Sequence, residues 1–272
     1  MSREPRERRE RGRGRGRREQ PYEPIWTRPE PSGRRAPRSR DDIAAAAIAV
    51  ADAEGIEAVS MRRVATELGL GTMSLYHYLR GKDELLDLMS DGIMAGQIVD
   101  DAELQRGWRA GLTAIARATH ANLQRHPWMG SALRTRAGTT PGPNAIRHVE
   151  QSLAAVADTG ADVRTRMELI ALIDDYVIGH TIRTQAVAQA ATEGLEADPE
   201  WVATIFDYFE RELETGEYPT LQREINAYRA GGRTLQDFTE MLTTEDRFER
   251  GLERLLDGIE ATLPSVKKRR GR

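Results

Sequence analysis

The sequence predicts an all-α protein of two parts, an N-terminal three-helix domain built around a helix-turn-helix and a larger helical body. Two features of the 272-residue chain carry this: apolar residues recur at three- and four-residue spacing, and Ala, Leu, Glu and Arg are frequent while β-branched runs are rare. A third is the stretch Ser60–Leu86, SMRRVATELGLGTMSLYHYLRGKDELL, which reads as two short helices about a glycine-marked turn and the opening of another.

Taken in order, Ser39 can cap a first helix while Asp42 reaches back as a capping box, and the helix stops at Gly55. Ser60 caps the next, where Val64, Ala65 and Leu68 form an apolar stripe before Gly69. After Leu70 a second helix of the motif starts at Gly71–Thr72, with Leu75 and Leu79 facing inward and Thr72, Met73, Ser74, Tyr76 and His77 facing outward. Few apolar contacts beneath a small, polar and aromatic open face suit entry into a DNA major groove. Gly81 ends that helix, and a fourth runs from Lys82 to about Val99.

In the body, Trp108, Leu112, Ile115, Thr119 and Leu123 mark a helix ending near His126–Pro127, and Arg134–Asn144 reads as a mobile loop. Helices are expected near 143–158, 161–191, 198–215 and 219–230, with a flexible connection over 231–244. The last, about 244–263, carries Phe248, Leu252, Leu255, Ile259 and Leu263 on one stripe, beside Gly251 and Gly258, which suggest a close-packed second backbone.

The net charge of −3 conceals segregation: residues 1–40 hold 14 Arg against 6 Glu, residues 267–272 hold five bases, and residues 41–266 hold 21 bases against 37 acids. An acidic body with basic ends fits nucleic-acid-attracting tails. Residues 1–38, almost without apolar side chains except in the patch Tyr22–Trp26, read as a disordered arm. Its tract Arg11–Arg18 reads either as a phosphate-contacting segment or as a solubilising tail. Residues 264–272 read as a basic tail. The domains expected are thus 1–38, 39–90, 91–263 and 264–272. With no cysteine there is no disulfide framework or thiol nucleophile, and the five histidines form no metal-binding or catalytic motif. No catalytic residue, metal or cofactor is expected. The apolar run Ile43–Ala51 is too short to span a bilayer, so no membrane association and a cytoplasmic location are expected.

The segment Ser39–Asp91 resembles the DNA-binding domain of TetR-type bacterial transcriptional repressors, in Ser60, Val64–Ala65, Gly69–Leu70, Leu75–Tyr76–His77–Tyr78, Lys82 and Leu85. DDYVIGH at Asp174–His180 and FERGLERLLDGIEATL in the last helix resemble the tetracycline-repressor-like C-terminal domain. By position in the family motif, Arg62, Thr72, Met73 and Ser74 are implied to contact bases, Arg62 a guanine and Met73 a thymine methyl. Tyr76, Tyr78 and Lys82 are implied to contact phosphate; His77 is either a further contact or a plain surface histidine. Of the four bases in residues 41–90, against nine acids, all lie in or beside this surface: Arg62, Arg63, Arg80 and Lys82.

The resemblance implies a homodimeric, ligand-responsive regulator, a repressor that binds a palindromic operator in double-stranded DNA and is released by a small apolar effector. A dimer interface is expected through helices 161–191 and 244–263, using Ile170, Val177, Phe248, Leu252, Leu255 and Ile259. An apolar pocket is expected among Trp108, Leu112, Asn122, Met129, His148, Leu169, Leu172, Tyr176, His180 and Phe206, with a filled core as the alternative. Two other functions remain open: a constitutive DNA-binding protein, and a helical ligand carrier or enzyme with a vestigial motif.

Overall fold

The computed structural model describes residues 23–31, 37–130, 141–197, 199–241, 244 and 246–264. The expected arm tract Arg11–Arg18, the basic tail beyond residue 264 and most of the expected loop at 134–144 lie outside these residues. Helix accounts for every regular element among the described residues.

Four helices make the head. Helix α1 (Arg40–Glu54) starts in the expected capping box: Asp42 N–H donates to Ser39 Oγ at 3.0 Å and Ser39 N–H to Asp42 Oδ2 at 2.8 Å. Helix α2 (Met61–Glu67) is capped by Ser60, whose Oγ accepts from Arg63 N–H at 3.2 Å. Gly69, at φ 68°, turns the chain where a side chain would be strained. Helix α3 (Thr72–Leu75) is a single turn, and α4 (Lys82–Met94) packs along α1. Their shared core includes Ile43, Ala47, Val64, Leu75, Leu79 and Leu85, all essentially without exposed surface.

Part of the segment expected to be disordered belongs to this core. Residues 23–31 cross the head as an ordered strap, Ile25 wholly buried and Trp26 packed beside it. The Tyr22–Trp26 patch was the visible sign: two large apolar groups have no reason to stay in water when a neighbouring core can take them.

The body begins with a 3₁₀ turn at Ala95–Gln97, so the fourth helix ends short of Val99. Then come α5 (Asp101–Leu104), α6 (Trp108–Arg125), α7 (Pro143–Ala155), α8 (Val163–Ala197), α9 (Pro199–Glu214), α10 (Pro219–Arg229), α11 (Leu235–Glu240) and α12 (Asp246–Thr262). Helix α11 lies where a flexible connection was expected; Thr234 and Asp237 form a capping box there. Helix α12 sits against α6 and α8. Its buried stripe Phe248, Leu252, Leu256 and Ile259 joins Leu112, Ile115, Leu169, Ile170, Ile173 and Val177 in one core, while Arg109 pairs with Asp257 and Glu260, and Arg117 with Glu249, along the rim. Gly251 is occupied by a side chain, not a second backbone: a methyl there would collide with the Tyr176 phenol, whose hydroxyl donates to the Phe248 carbonyl at 2.8 Å. No described residue lies within 4 Å of the side-chain position at Gly258.

Helices α9 to α11 form a separate small cluster around Leu213, Ile225 and Leu235. Among the described residues, hydrogen bonds from Asp52, Ile93 and Asp91 join the head to the body. Asp52 accepts from Trp128 Nε1 at 2.7 Å and lies 2.7 Å from His126 Nδ1; Asn122 Nδ2 donates to the Ile93 carbonyl at 2.9 Å. Asp91 of α4 caps α7, its Oδ1 accepting from Ala145 N–H at 3.0 Å and its Oδ2 from Asn144 N–H at 3.2 Å. No described helix is long and apolar enough to cross a membrane.

Candidate nucleic-acid interface

Leu75 and Leu79 drive α3 and the following turn into the core, and this fixes which neighbours are left outside. Arg62, Tyr76, His77 and Lys82 are exposed, Thr72 and Ser74 half-buried, and Met73 is 77% exposed. Met73 and Tyr76 are the only large apolar side chains exposed on the described head. They stand side by side on the recognition segment of an otherwise well-packed head.

Tyr78 does not share that face. Only 2% of it is exposed, and its hydroxyl accepts from the Arg38 backbone N–H at 3.2 Å, so it is a core residue rather than a phosphate ligand. The physical reason is position: Tyr78 follows Leu75 by three residues, on the inward side of the turn.

The four cations differ as well. Arg63 is held by Glu54 at 2.6 Å and Glu67 at 2.8 Å; hydrogen bonds to Glu54 first and Glu67 second raise its pKa further above its ordinary value. Arg80 is paired with Glu23 of the strap at 2.7 Å. Arg62 and Lys82 make no ion pair among the described residues, which leaves two uncommitted charges flanking α3. Lys82 stands at the first position of α4, the end where the helix dipole favours an anion.

The body residues expected to form a pocket and those expected to form a dimer interface turn out to share one core. Leu112, Met129 and Leu169 from the first set, and Ile170, Val177, Phe248, Leu252 and Ile259 from the second, are buried together within the single chain. Five of the six expected interface residues are thus already covered, because α12 lies down on its own α6 and α8; only Leu255 is half-exposed. Two pocket residues fall elsewhere. Phe206 packs in the small α9–α11 cluster, and Leu172 points to solvent, 43% exposed.

Asn122 is committed to the head–body joint, and buried His148 lies 3.0 Å from Gln151 Nε2. Trp108, Tyr176 and His180 stay half-buried at the core's edge. Near the last two sits His120, stacked on Phe248 at 3.9 Å and 2.7 Å from Thr181 Oγ1; no sequence spacing marked it. Burial lowers the pKa of His120 and His148; for His180 burial comes first and the Arg247 charge second. Asp174 is pushed up to about 6, by burial and then by Asp175.

With this geometry in place, two family models match: the model for bacterial regulatory proteins of the tetR family over residues 43–89, and that for the tetracyclin repressor-like C-terminal domain over 102–263. The chain belongs to the TetR family. It is 39% identical to the HTH-type transcriptional repressor DrrR1 of Streptomyces coeruleorubidus over 234 residues, 85% of this chain and 79% of that one. It is 27% identical to the class E tetracycline repressor protein of Escherichia coli over 152 residues, 56% of this chain and 71% of that one. Among solved structures, ActR of Streptomyces coelicolor in complex with actinorhodin aligns with a TM-score of 0.60 at 25% identity, covering 85% of this chain and 99% of that one. This TetR-family chain is accordingly a helix-turn-helix transcription regulator.

Proposed function

We propose that the protein is a homodimeric repressor that holds a palindromic operator and lets go when a small apolar molecule enters its body. The observation that carries the DNA part is the face of α3: Met73 and Tyr76 stand exposed between the uncommitted charges of Arg62 and Lys82 on a head that is otherwise acidic. Arg62, Thr72, Met73 and Ser74 would meet base edges, and Tyr76, His77 and Lys82 the backbone around them. Such a regulator works in the cytoplasm, and its two heads sit about one DNA turn apart.

For the dimer, the outward faces of α8 and α12 replace the residues now assigned to the core. Leu172, Gly179 and Ala186 lie exposed on α8, and on α12 Leu255 is half-exposed and Gly258 open. Small residues there let two such pairs approach closely. For the effector, the edge of the core at Trp108, Tyr176, His120 and His180 is the best-supported entry, and the complex of ActR with actinorhodin supports an effector for a relative of this shape. The close stack of His120 on Phe248 favours the second reading, a constitutive DNA-binding protein whose core admits nothing.

Selection of duplexes from a random pool tests the first part: a palindromic consensus bound by two chains is expected, and a non-palindromic or absent consensus overturns it. A thermal-shift screen of hydrophobic compounds, followed by an operator-release assay on the hits, separates the two readings of the body. Release by a hit supports the effector; binding without release supports the constitutive protein.

A further inference from the structure

Two of the four cations beside α3 are paired, and the two pairs differ in kind. Arg63 is gripped by two acids, Glu54 of α1 and Glu67 of α2, both on helices of the head. Arg80 is met by Glu23, an acid of the strap, at 2.7 Å. The strap lies before residues 43–89, the part of the head matched to the TetR family, so this acid stands outside the family's shared part.

An exposed ion pair ordinarily contributes little, because two long side chains must be ordered to make it. Here the backbone on both sides is already fixed. Ile25, two residues from Glu23, is wholly buried in the head core. Trp26 packs so closely on Gly142 that a methyl group there would strike its ring. Arg28 donates to the Glu84 carboxylate at 2.5 Å, and the Arg80 N–H donates to the same oxygen at 2.7 Å. One buried carboxylate therefore roots both segments, the strap that carries Glu23 and the turn that carries Arg80.

Above that root the pair is open to solvent: 54% of the Arg80 side chain and 49% of the Glu23 side chain are exposed, enough for another anion to reach the guanidinium. Arg80 stands three residues after His77 and two before Lys82, at the end of the recognition segment. Glu23 holds it through Nη2. The planar fork of a guanidinium suits carboxylate and phosphate oxygens alike, so either can occupy it.

We infer that Arg80 is a phosphate-binding residue of the head, and that Glu23 competes with the DNA backbone for it. The strap works as a brake: binding must exchange an internal carboxylate for a phosphate, which lowers affinity for every duplex alike and leaves base preference untouched. This rests on the DNA reading above and adds to it one contact and its competitor.

The test is a double-mutant cycle on the full chain, with Glu23→Gln, Arg80→Gln and the two combined, and Arg80→Lys as a fourth variant. The probes are a duplex selected by the wild-type chain from a random pool and a duplex of unrelated sequence. Both side chains lie at the surface, so all four variants should melt with the wild type. Glu23→Gln should tighten binding to both duplexes by about two- to fivefold near 0.1 M salt. Arg80→Gln should weaken both and make the plot of log affinity against log salt shallower by about one; Arg80→Lys keeps the charge and should keep the slope. In the Arg80→Gln background, Glu23→Gln should gain nothing.

An equal gain from Glu23→Gln with and without Arg80 would mean that Glu23 only repels phosphate through space, and overturns the competition. No gain in the wild-type background overturns it as well. Unchanged affinity and slope in Arg80→Gln, or a changed base preference, removes Arg80 from the phosphate contacts. Each of these leaves the DNA reading standing. If the wild-type chain selects no duplex, that reading falls and this inference with it.

Discussion

Head and body are both made of helices packed on apolar cores, yet they leave opposite things in water. The described head hides its apolar surface so completely that only Met73 and Tyr76 stand out, both on the recognition segment. The body leaves Val163, Met167, Leu172 and Val187 exposed along α8, and Trp201, Ile205 and Tyr208 along α9. A self-sufficient domain can spend its surface on a polar partner such as DNA; a domain with spare apolar surface needs another protein or a ligand.

Several changes should break or sharpen that contrast. The largest effect is expected at the strap: Ile25→Ala should destabilise the head by about 2–4 kcal/mol, since it empties a wholly buried site. Deleting residues 1–22 should leave thermal unfolding where it was. Equal melting temperatures for Ile25→Ala and the wild type would mean that the head does not need the strap. Next comes the body's spare surface. Leu172→Glu combined with Leu255→Glu should weaken self-association by roughly 100-fold without unfolding the chain, because Leu172 is exposed and Leu255 half-exposed. Sedimentation at micromolar concentration reads this out, and an unchanged dimer would place the contact elsewhere.

On the head, Arg62→Ala should cost about 1–3 kcal/mol in operator affinity and relax one base position. Lys82→Ala should weaken all sequences alike and reduce the salt slope by about one. Reversed behaviour in binding assays against point-substituted operators would exchange the two roles.

The smallest effect concerns Asp174. Its folded-state pKa of about 6 lies above the ordinary carboxylate value, so the native protein binds the extra proton and this stability is lost as pH rises through about 6. Asp174→Asn should therefore be more stable than wild type at pH 7.5, by roughly 1–2 kcal/mol after allowance for residual solvent, and no more stable near pH 4. His120, His148 and His180 act the other way, since their lowered pKa values cost stability as pH falls below about 6.5. That loss is common to both proteins, so the difference between their denaturation midpoints isolates Asp174.

The head was far more legible in the sequence than the body, and Tyr76 and Tyr78 show where even that stopped. Capping residues and glycine turns act within four residues, so Ser39, Asp42, Ser60 and Gly69 announce α1, α2 and the turn directly. Two tyrosines two apart look alike in a motif, but 47% of Tyr76 is exposed and almost none of Tyr78. In the body, periodicity located the apolar stripe of α12 without revealing what covers it. The stripe Phe248, Leu252 and Ile259 suits a second subunit as well as it suits α6 and α8 of its own chain. The deciding signals, Arg109 with Asp257 and Glu260 and Arg117 with Glu249, join residues more than 130 positions apart, which no local pattern records.

Asp91 bears on how hybrid regulators of this type can be built. It belongs to α4 by backbone and to α7 by hydrogen bonding, where its carboxylate supplies the cap that the first turn would otherwise lack. Gly142 is bare because any side chain there would strike Asp91 and Trp26. A splice made at residue 90 would give the transplanted head a foreign neighbour and leave α7 dependent on whatever the host chain provides. A splice after Met94 carries Asp91 with the head, and the host must then supply a glycine and an amide side chain matching Gly142 and Asn144. The seam between interchangeable modules thus runs through a set of side chains, and not through the point where one helix gives way to the next.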